Sequence, residues 1–180
     1  MNTTFWRDKL RNGILAGAVA LCAVAASASP ALAADQLVMD LKCGPVVIDL
    51  RADLAPKHAA QLMTLAGKGF YDGIMFHRVI DGFMAQTGDP TGTGTGSSDL
   101  PDLPSEFSSE PFKRGTVGMA RSSNPNSANS QFFIMFAPGD FLNGQYTVVG
   151  NVSSGMECID QVNKGEPPAN PDKIIKMSVK

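Results

Sequence analysis

The chain has 180 residues, of which 43% are hydrophobic and 18% charged, and its formal net charge is −2. This length suits one globular domain with a short appendage. Lysine and arginine together number 15 against 17 acidic residues, which excludes the basic excess typical of nucleic-acid-binding and polybasic membrane-surface proteins.

The first 33 residues have the pattern of a secretory signal peptide. Three basic residues precede an uncharged apolar run over 13–26, and Ala31-Leu32-Ala33 forms an A-x-A cleavage site. The run is shorter than the ~20 apolar residues of a membrane-spanning helix, so an uncleaved anchor is the weaker alternative. We expect cleavage after Ala33, a mature domain over 34–180 and export to the periplasm, with secretion as the alternative.

The first part of the mature chain predicts a hairpin and a helix. Residues 36–42 alternate apolar and polar side chains, Cys43-Gly44-Pro45 interrupts them, and an apolar run resumes over 46–50. Two such runs around a glycine-containing break predict a β-hairpin. Pro56 suits a helix N-terminus, and apolar residues recur at helical spacing from there to Ala66.

The rest of the chain predicts short strands separated by glycine- and proline-containing turns. Two runs at the end of the chain predict a short helix and a closing strand. Together, seven or eight strands and two helices favour a mainly β domain, either a barrel or a sandwich. The predicted strands are 74–80, 84–87, 115–120, 131–136, 145–152 and 174–179, with a long loop over 88–104 and a helix over 155–163.

Two cysteines, Cys43 and Cys158, remain in the mature chain. They either pair or stay free, and the spacing leaves both alternatives open. The sequence has no C-x-x-C pair and no cysteine–histidine cluster, so neither a zinc site nor thioredoxin-like chemistry is indicated.

An arginine within an apolar strand is the first indication of a site. Strand alternation puts Arg78 on one face with Phe76 and Ile80, and His77 on the other. Because an unpaired buried guanidinium is costly, Arg78 must face solvent, a partner or a ligand. Taken alone, Arg78 is predicted to be a surface residue in a salt bridge. His77 is predicted to be a buried core histidine that is hydrogen-bonded. His58, on the first helix, is predicted to be solvated.

The alternation of two further strands, 84–87 and 131–136, gathers other polar and aromatic side chains near Arg78. An apolar pocket with a few polar groups is typical of a small-ligand or peptide site. The glycine repeat over 91–96 lacks the Lys-Ser/Thr pair of a phosphate-binding loop, so we expect a flexible loop there. The side chains that alternation gathers are Gln86 and Gln131 among Phe83, Met84 and Phe133.

Three stretches together carry a specific resemblance. FHRVIDGFMAQTGD, GTVGMARSSNPNSANSQFFIMF and FLNGQYTVVGNV resemble the cyclophilin family of peptidyl-prolyl cis–trans isomerases, over essentially the whole mature chain. The resemblance implies a closed eight-stranded antiparallel barrel capped by two α-helices. It also implies a packed interior and an active groove on the outer surface.

Site roles follow from the resemblance residue by residue. Arg78 matches the catalytic arginine, and Gln86 matches the glutamine that holds the substrate backbone. Phe141 stands where tryptophan is common, which implies weak binding of cyclosporin-type ligands, and Tyr146 stands where histidine is common. The implied proline pocket is Phe83, Met84, Phe133 and Leu142, with Gln131 lining the groove and Ala120 and Arg121 pairing with bound peptide.

The implied activity is rotation about X–Pro amide bonds in proline-containing peptides and unfolded exported proteins. No bond breaks in this reaction, so no cofactor, metal or nucleophile is expected. Nucleic acid is not an expected partner, and a monomer is expected. The alternative is a module that holds proline-containing peptides with little turnover.

Overall fold

The structure is a computed structural model that describes residues 35–180. The predicted signal segment, 1–33, lies outside these residues. No helix within 35–180 is long and apolar enough to cross a membrane. The elements are β1 Gln36–Asp40, β2 Pro45–Leu50, α1 Pro56–Gly67, β3 Arg78–Ile80, β4 Met84–Thr87, β5 Thr116–Met119, β6 Phe132–Met135, a 3-10 turn Asp140–Leu142, β7 Val148–Ser154, α2 Met156–Asp160 and β8 Lys176–Val179.

All eight strands belong to one antiparallel sheet, in the order β3-β4-β6-β5-β7-β2-β1-β8. The edge strands β3 and β8 do not pair directly. Backbone hydrogen bonds link β3 and the residues before it to the segment between α2 and β8: the Gly73 N–H donates to the Ile174 carbonyl at 2.7 Å, and Val79 and Gly165 exchange two bonds of 2.8 Å. The predicted mainly β fold with eight antiparallel strands and two helices is confirmed.

The sheet separates two apolar clusters. Along β6, Phe132 and Ile134 belong to the large interior cluster, whereas Phe133 and Met135 belong to a smaller cluster on the other face. This is the period-two alternation of a strand that is buried on both sides. The interior is therefore filled by side chains, and the smaller cluster is available to form the floor of an external site.

Two predicted strands begin three or more residues later in the structure. The strand predicted over 74–80 is regular only from Arg78, and an isolated bridge joins Met75 to Lys173. Because alternation does not continue through this irregular stretch, Phe76 is fully buried in the interior cluster and does not share a face with Arg78. The strand predicted from 145 begins at Val148, since a turn occupies the residues before it.

A carboxylate distant in sequence caps the N-terminus of α1. Its N-cap residue, Ala55, supplies no side-chain hydrogen bond. Glu106 instead accepts the backbone N–H groups of Lys57 and His58, each at 3.2 Å, and lies 2.6 Å from His58 Nδ1. His58 is fully buried, so the prediction that it is solvated was wrong. The cause is this pairing with Glu106, which the spacing of apolar residues in α1 does not reveal.

The cap makes stability depend on pH. Burial raises the pKa of Glu106, but the hydrogen bonds from the His58 ring and from the two N–H groups outweigh it and lower the pKa below its usual 4.5. Since the folded pKa is below the unfolded one, the ionised carboxylate stabilises the fold above the unfolded pKa. This contribution is lost as the pH falls through the folded value.

We therefore expect Glu106→Gln to lower the free energy of unfolding at pH 7 by about 1–3 kcal/mol, the usual cost of weakening hydrogen bonds to a charged group. The difference from wild type should shrink as the pH falls toward 3. Urea unfolding between pH 7 and 3 measures both effects. Glu157→Gln removes the same charge at an exposed position and is the control. If the unfolding free energy of Glu106→Gln depended on pH as steeply as that of wild type, the role of Glu106 as the pH-dependent cap would be contradicted.

Candidate active site

The sheet register places a row of side chains across four strands. Arg78 in β3 lies opposite Gln86 in β4, Gln86 lies opposite Phe133 in β6, and Phe133 lies opposite Gly118 in β5. Directly opposed residues of an antiparallel sheet have neighbouring side chains on the same face. A guanidinium, an amide and an aromatic ring therefore follow one another on the face of the smaller apolar cluster.

A surface pocket of about 270 Å³ opens above this row. Its lining includes every residue predicted for the site except Gln131. Gln131 instead lines an adjoining depression of about 400 Å³ that shares Gln86, Ala120 and Arg121 with the pocket. The residues that line the pocket are Arg78, Phe83, Met84, Gln86, Ala120, Arg121, Phe133, Phe141, Leu142 and Tyr146.

Packed aromatic rings form the floor of the pocket. Phe133 is only 5% exposed and stacks on Phe112, with ring centroids 5.7 Å apart, while Tyr146 meets it edge-on at 5.9 Å. At the rim, Phe83 packs against Phe141 at 5.4 Å, and Phe141 is 66% exposed. The pocket therefore combines a fixed apolar floor with an accessible aromatic edge, which suits a compact apolar ring.

The two glutamines form one hydrogen-bonded unit with the loop beside the pocket. Gln86 Nε2 donates to Gln131 Oε1 at 2.8 Å. Gln131 Nε2 in turn donates to the carbonyl oxygens of Gly94 and Gly96, at 3.1 and 2.8 Å. These bonds orient the Gln86 amide next to Arg78.

Asp89 organises this glycine-containing loop from beneath. It is 1% exposed, and its carboxylate accepts the N–H groups of Thr91, Gly94 and Gly96 at 2.7, 2.6 and 3.1 Å. Burial raises the pKa of Asp89, but the hydrogen bonds from Thr91 and the two glycines lower it overall. The loop lies beside the pocket, as expected, and these bonds hold it there.

Arg78 makes one hydrogen bond to the described part of the chain. Its Nε donates to Glu166 Oε2 at 2.7 Å, and the two side chains are 41% and 50% exposed. The terminal nitrogens Nη1 and Nη2 make no hydrogen bond within residues 35–180. The guanidinium thus lines the pocket while its rear edge is held by a carboxylate that the sequence did not indicate.

Ala120 and Arg121 lie at the end of β5, where the resemblance implies pairing with a peptide. The Ala120 N–H already donates to the Gln131 carbonyl at 3.0 Å. The Arg121 guanidinium lies 4.4 Å from the centre of the Tyr146 ring and donates to the Gln145 carbonyl at 3.0 Å. The Arg121 side chain is therefore held at the edge of the pocket by its own chain.

His77 is buried, as predicted, but neither ring nitrogen has a hydrogen-bond partner within the described residues. The expectation that it is hydrogen-bonded was therefore wrong. Burial lowers the pKa of His77, against the opposing charge of Asp89, and so favours the neutral ring. Within residues 35–180, no three histidine, cysteine, aspartate or glutamate side chains cluster in a way that could hold a metal ion.

Comparison with known proteins identifies the family. The model of the family described as cyclophilin type peptidyl-prolyl cis-trans isomerase/CLD matches residues 36–179. The chain belongs to the cyclophilin-type peptidyl-prolyl cis–trans isomerases. Curated relatives from Brucella suis and Brucella melitensis, each called a probable peptidyl-prolyl cis-trans isomerase, are 53% identical to this cyclophilin. The alignment is 188 positions long and covers 94% of this chain and 96% of theirs.

Solved structures agree with this assignment. A Cryptosporidium parvum cyclophilin-type isomerase, solved in the presence of the dipeptide Ala-Pro, matches with a TM-score of 0.75 at 28% identity, covering 81% of this chain and 98% of that one. A cyclophilin from Hirschia baltica matches with a TM-score of 0.73 at 28% identity, covering 79% and 72%. The isomerase assignment made from the sequence is thereby confirmed.

Sequence reasoning missed the support behind the pocket floor of this cyclophilin. A Cβ atom on Gly118 would lie 2.4 Å from Phe133 Cζ and 2.6 Å from Phe112 Cε1. Such a close approach explains the glycine, since any Cβ at this position would displace one of the two rings. A glycine inside a predicted strand was the available signal, because it often marks close packing.

We expect Gly118→Ala to push the Phe133 ring into the pocket. The change should lower kcat/KM by about 10- to 100-fold, the scale seen when a site is displaced by about 1 Å. It should also cost about 1–3 kcal/mol of stability, as overpacking usually does. Gly67→Ala, where a Cβ meets nothing within 4 Å, is the matched control. A protease-coupled or direct isomerisation assay on both variants tests this, and wild-type kcat/KM in Gly118→Ala would refute it.

Proposed function

We propose that this cyclophilin accelerates rotation about X–Pro amide bonds in exported proteins by stabilising the twisted amide with Arg78. The observation that carries the proposal is the placement of the Arg78 guanidinium. It lines the apolar pocket, is held only through Nε, and has both terminal nitrogens free of described partners.

The chemistry requires a hydrogen-bond donor at one atom. Amide rotation costs ~18–20 kcal/mol because C–N resonance must be broken. The cis and trans forms before proline differ by only ~0.5–1 kcal/mol, so the obstacle is the barrier. In the twisted state the nitrogen lone pair is no longer delocalised and accepts a hydrogen bond. A fixed guanidinium that donates to this nitrogen binds the transition state more strongly than the planar ground state, which lowers the barrier.

The apolar floor supplies the anchor for the proline ring. Phe133, Met84 and Leu142 are nearly buried and form a fixed floor, whereas Phe141 at the rim is 66% exposed. A ring that fills the pocket covers the exposed apolar surface of Phe141 and gains the hydrophobic contribution. Gln86, oriented by Gln131, holds the peptide backbone on one side of the bond while the other side turns. The Ala-Pro dipeptide used with the Cryptosporidium parvum relative supports proline-containing peptides as the substrates.

Two observations support export. The first is the signal-peptide pattern of residues 1–33. The second is the disulfide between Cys43 and Cys158, because disulfides persist mainly in oxidising compartments. We place the enzyme in the periplasm, with secretion as the alternative. Mass spectrometry of exported protein should find Ala34 as the first residue, and an intact Met1 would contradict processing.

Refolding of a proline-limited substrate protein distinguishes turnover from holding. Uncatalysed isomerisation takes ~10–100 s at 25 °C, so an enzyme accelerates the slow phase when present at a small fraction of the substrate concentration. A module that only holds peptides changes refolding only when its concentration is comparable to that of the substrate protein. Acceleration that appears only at equimolar protein would overturn the proposed role in folding.

A further inference from the structure

We infer that Glu166 is a positioning residue for the isomerase reaction, which holds the guanidinium of Arg78 from behind and so directs its free nitrogens at the substrate. This inference rests on the proposed role of Arg78 and adds a residue to it. Glu166 does not line the pocket, so it acts through Arg78 and does not touch the reacting amide.

The backbone places Glu166 beside Arg78. Gly165 and Val79 exchange both of their backbone hydrogen bonds, each 2.8 Å long, and form an antiparallel bridge. Glu166 follows Gly165, and Arg78 precedes Val79, so Glu166 and Arg78 lie opposite each other in this antiparallel pair. Their side chains are therefore on the same face. A Cβ at Gly165 would lie 2.6 Å from Pro168 Cα, so glycine allows the chain to turn at this point.

The contact with Glu166 uses Nε, the one donor of the Arg78 guanidinium that does not lie at its outer end. The guanidinium is planar and rigid, so a 2.7 Å bond from Nε to Glu166 Oε2 restricts the whole plane. Nη1 and Nη2 remain free of partners within the described chain. On the other side of Arg78 lies Gln86, directly opposite in the sheet. Arg78 is thus flanked by a carboxylate on one side and a substrate-holding amide on the other.

Positioning has a kinetic consequence. A long arginine side chain occupies several rotamers when it is unrestrained, and only some of them direct the tip at the pocket. A group held in its reactive geometry before binding costs less to order in the transition state. Loss of Glu166 should therefore reduce kcat while leaving KM, which reflects the apolar pocket, nearly unchanged.

The test compares Glu166→Ala with wild type in an isomerisation assay at low ionic strength. We expect kcat to fall about three- to fivefold, the range of an exposed charged pair, with an unchanged KM and melting temperature. Glu166→Gln should recover part of the loss because its amide oxygen still accepts from Nε. Glu157→Ala, an exposed glutamate in α2, should behave as wild type. Added salt should lower wild-type kcat toward the Glu166→Ala value.

The same substitution in an Arg78→Ala background separates this inference from the proposed mechanism. If Glu166 acts through Arg78, its removal changes nothing further there. Wild-type kcat in Glu166→Ala, or an equal loss with and without Arg78, overturns the inference alone. Wild-type turnover in Arg78→Ala instead overturns the proposed mechanism. An increase in kcat on loss of Glu166 would show that Glu166 restrains Arg78 unproductively, which also overturns the inference.

Discussion

Replacement of Arg78 by alanine is expected to lower kcat by about 10²- to 10³-fold, the usual cost of removing one preorganised donor from a developing charge. KM should change little, because the proline ring is anchored by the apolar floor and the side chain of Arg78 lies at the rim. The pattern of a lost kcat with a retained KM identifies an interaction made only in the transition state. A protease-free isomerisation assay, analysed for kcat and KM separately, measures it.

Arg114→Ala is the matched control for this experiment. Arg114 is also a half-exposed arginine in an ion pair, with Asp160 at 2.7 Å, but it does not line the pocket. It should keep wild-type turnover. The kcat of Arg78→Lys should lie between those of wild type and Arg78→Ala, since the charge remains while the planar guanidinium is lost. Unchanged turnover in Arg78→Ala would rule out the proposed role.

Removal of the Cys43–Cys158 disulfide is expected to have the largest effect on stability. The two cysteines are 115 residues apart, so the link closes a loop that includes most of the sheet. A cross-link over roughly 100 residues restricts the unfolded chain by up to about 4.7 kcal/mol in the loop-entropy model, although measured values are usually about 2–4 kcal/mol. We expect Cys43→Ala/Cys158→Ala to lose about 2–4 kcal/mol of unfolding free energy.

Urea unfolding of wild type and the double variant, each with and without reductant, measures this loss. Reductant should bring wild type close to the variant and should leave the variant unaffected. Isomerase activity well below the melting temperature should be unchanged in both, because neither cysteine lines the substrate pocket. A reductant-insensitive wild type would show that the thiols do not pair in the protein.

The sequence predicted well those features that depend on neighbouring residues. The alternation over 36–42, the apolar run over 46–50 and the helical spacing after Pro56 correspond to β1, β2 and α1. Alternation also placed Phe133 correctly on the face of the site, apart from the interior cluster. It failed for Phe76, because the strand pattern assumes a regular strand and the chain is irregular before Arg78.

The candidate site was predictable as a set of residues but not as a geometry. Resemblance named the side chains that line the pocket, and the register of β3, β4, β6 and β5 then places Arg78, Gln86 and Phe133 in one row. The contacts that support Phe133 and Arg78 from behind had little signal in the sequence. Phe112 behind Phe133 and Glu166 beside Arg78 both lie outside every predicted strand and helix.

Local periodicity by itself determined the mainly β class and most element positions, and the resemblance of three stretches to a known family indicated the isomerase. Only the tertiary structure decided that Glu166 holds Arg78, that Glu106 caps α1 through His58, and that Cys43 pairs with Cys158. These partners are 88, 48 and 115 residues apart. Periodicity reports on residues within a few positions of one another, whereas contacts over such separations depend on strand register and sheet curvature, which arise only when the whole chain packs.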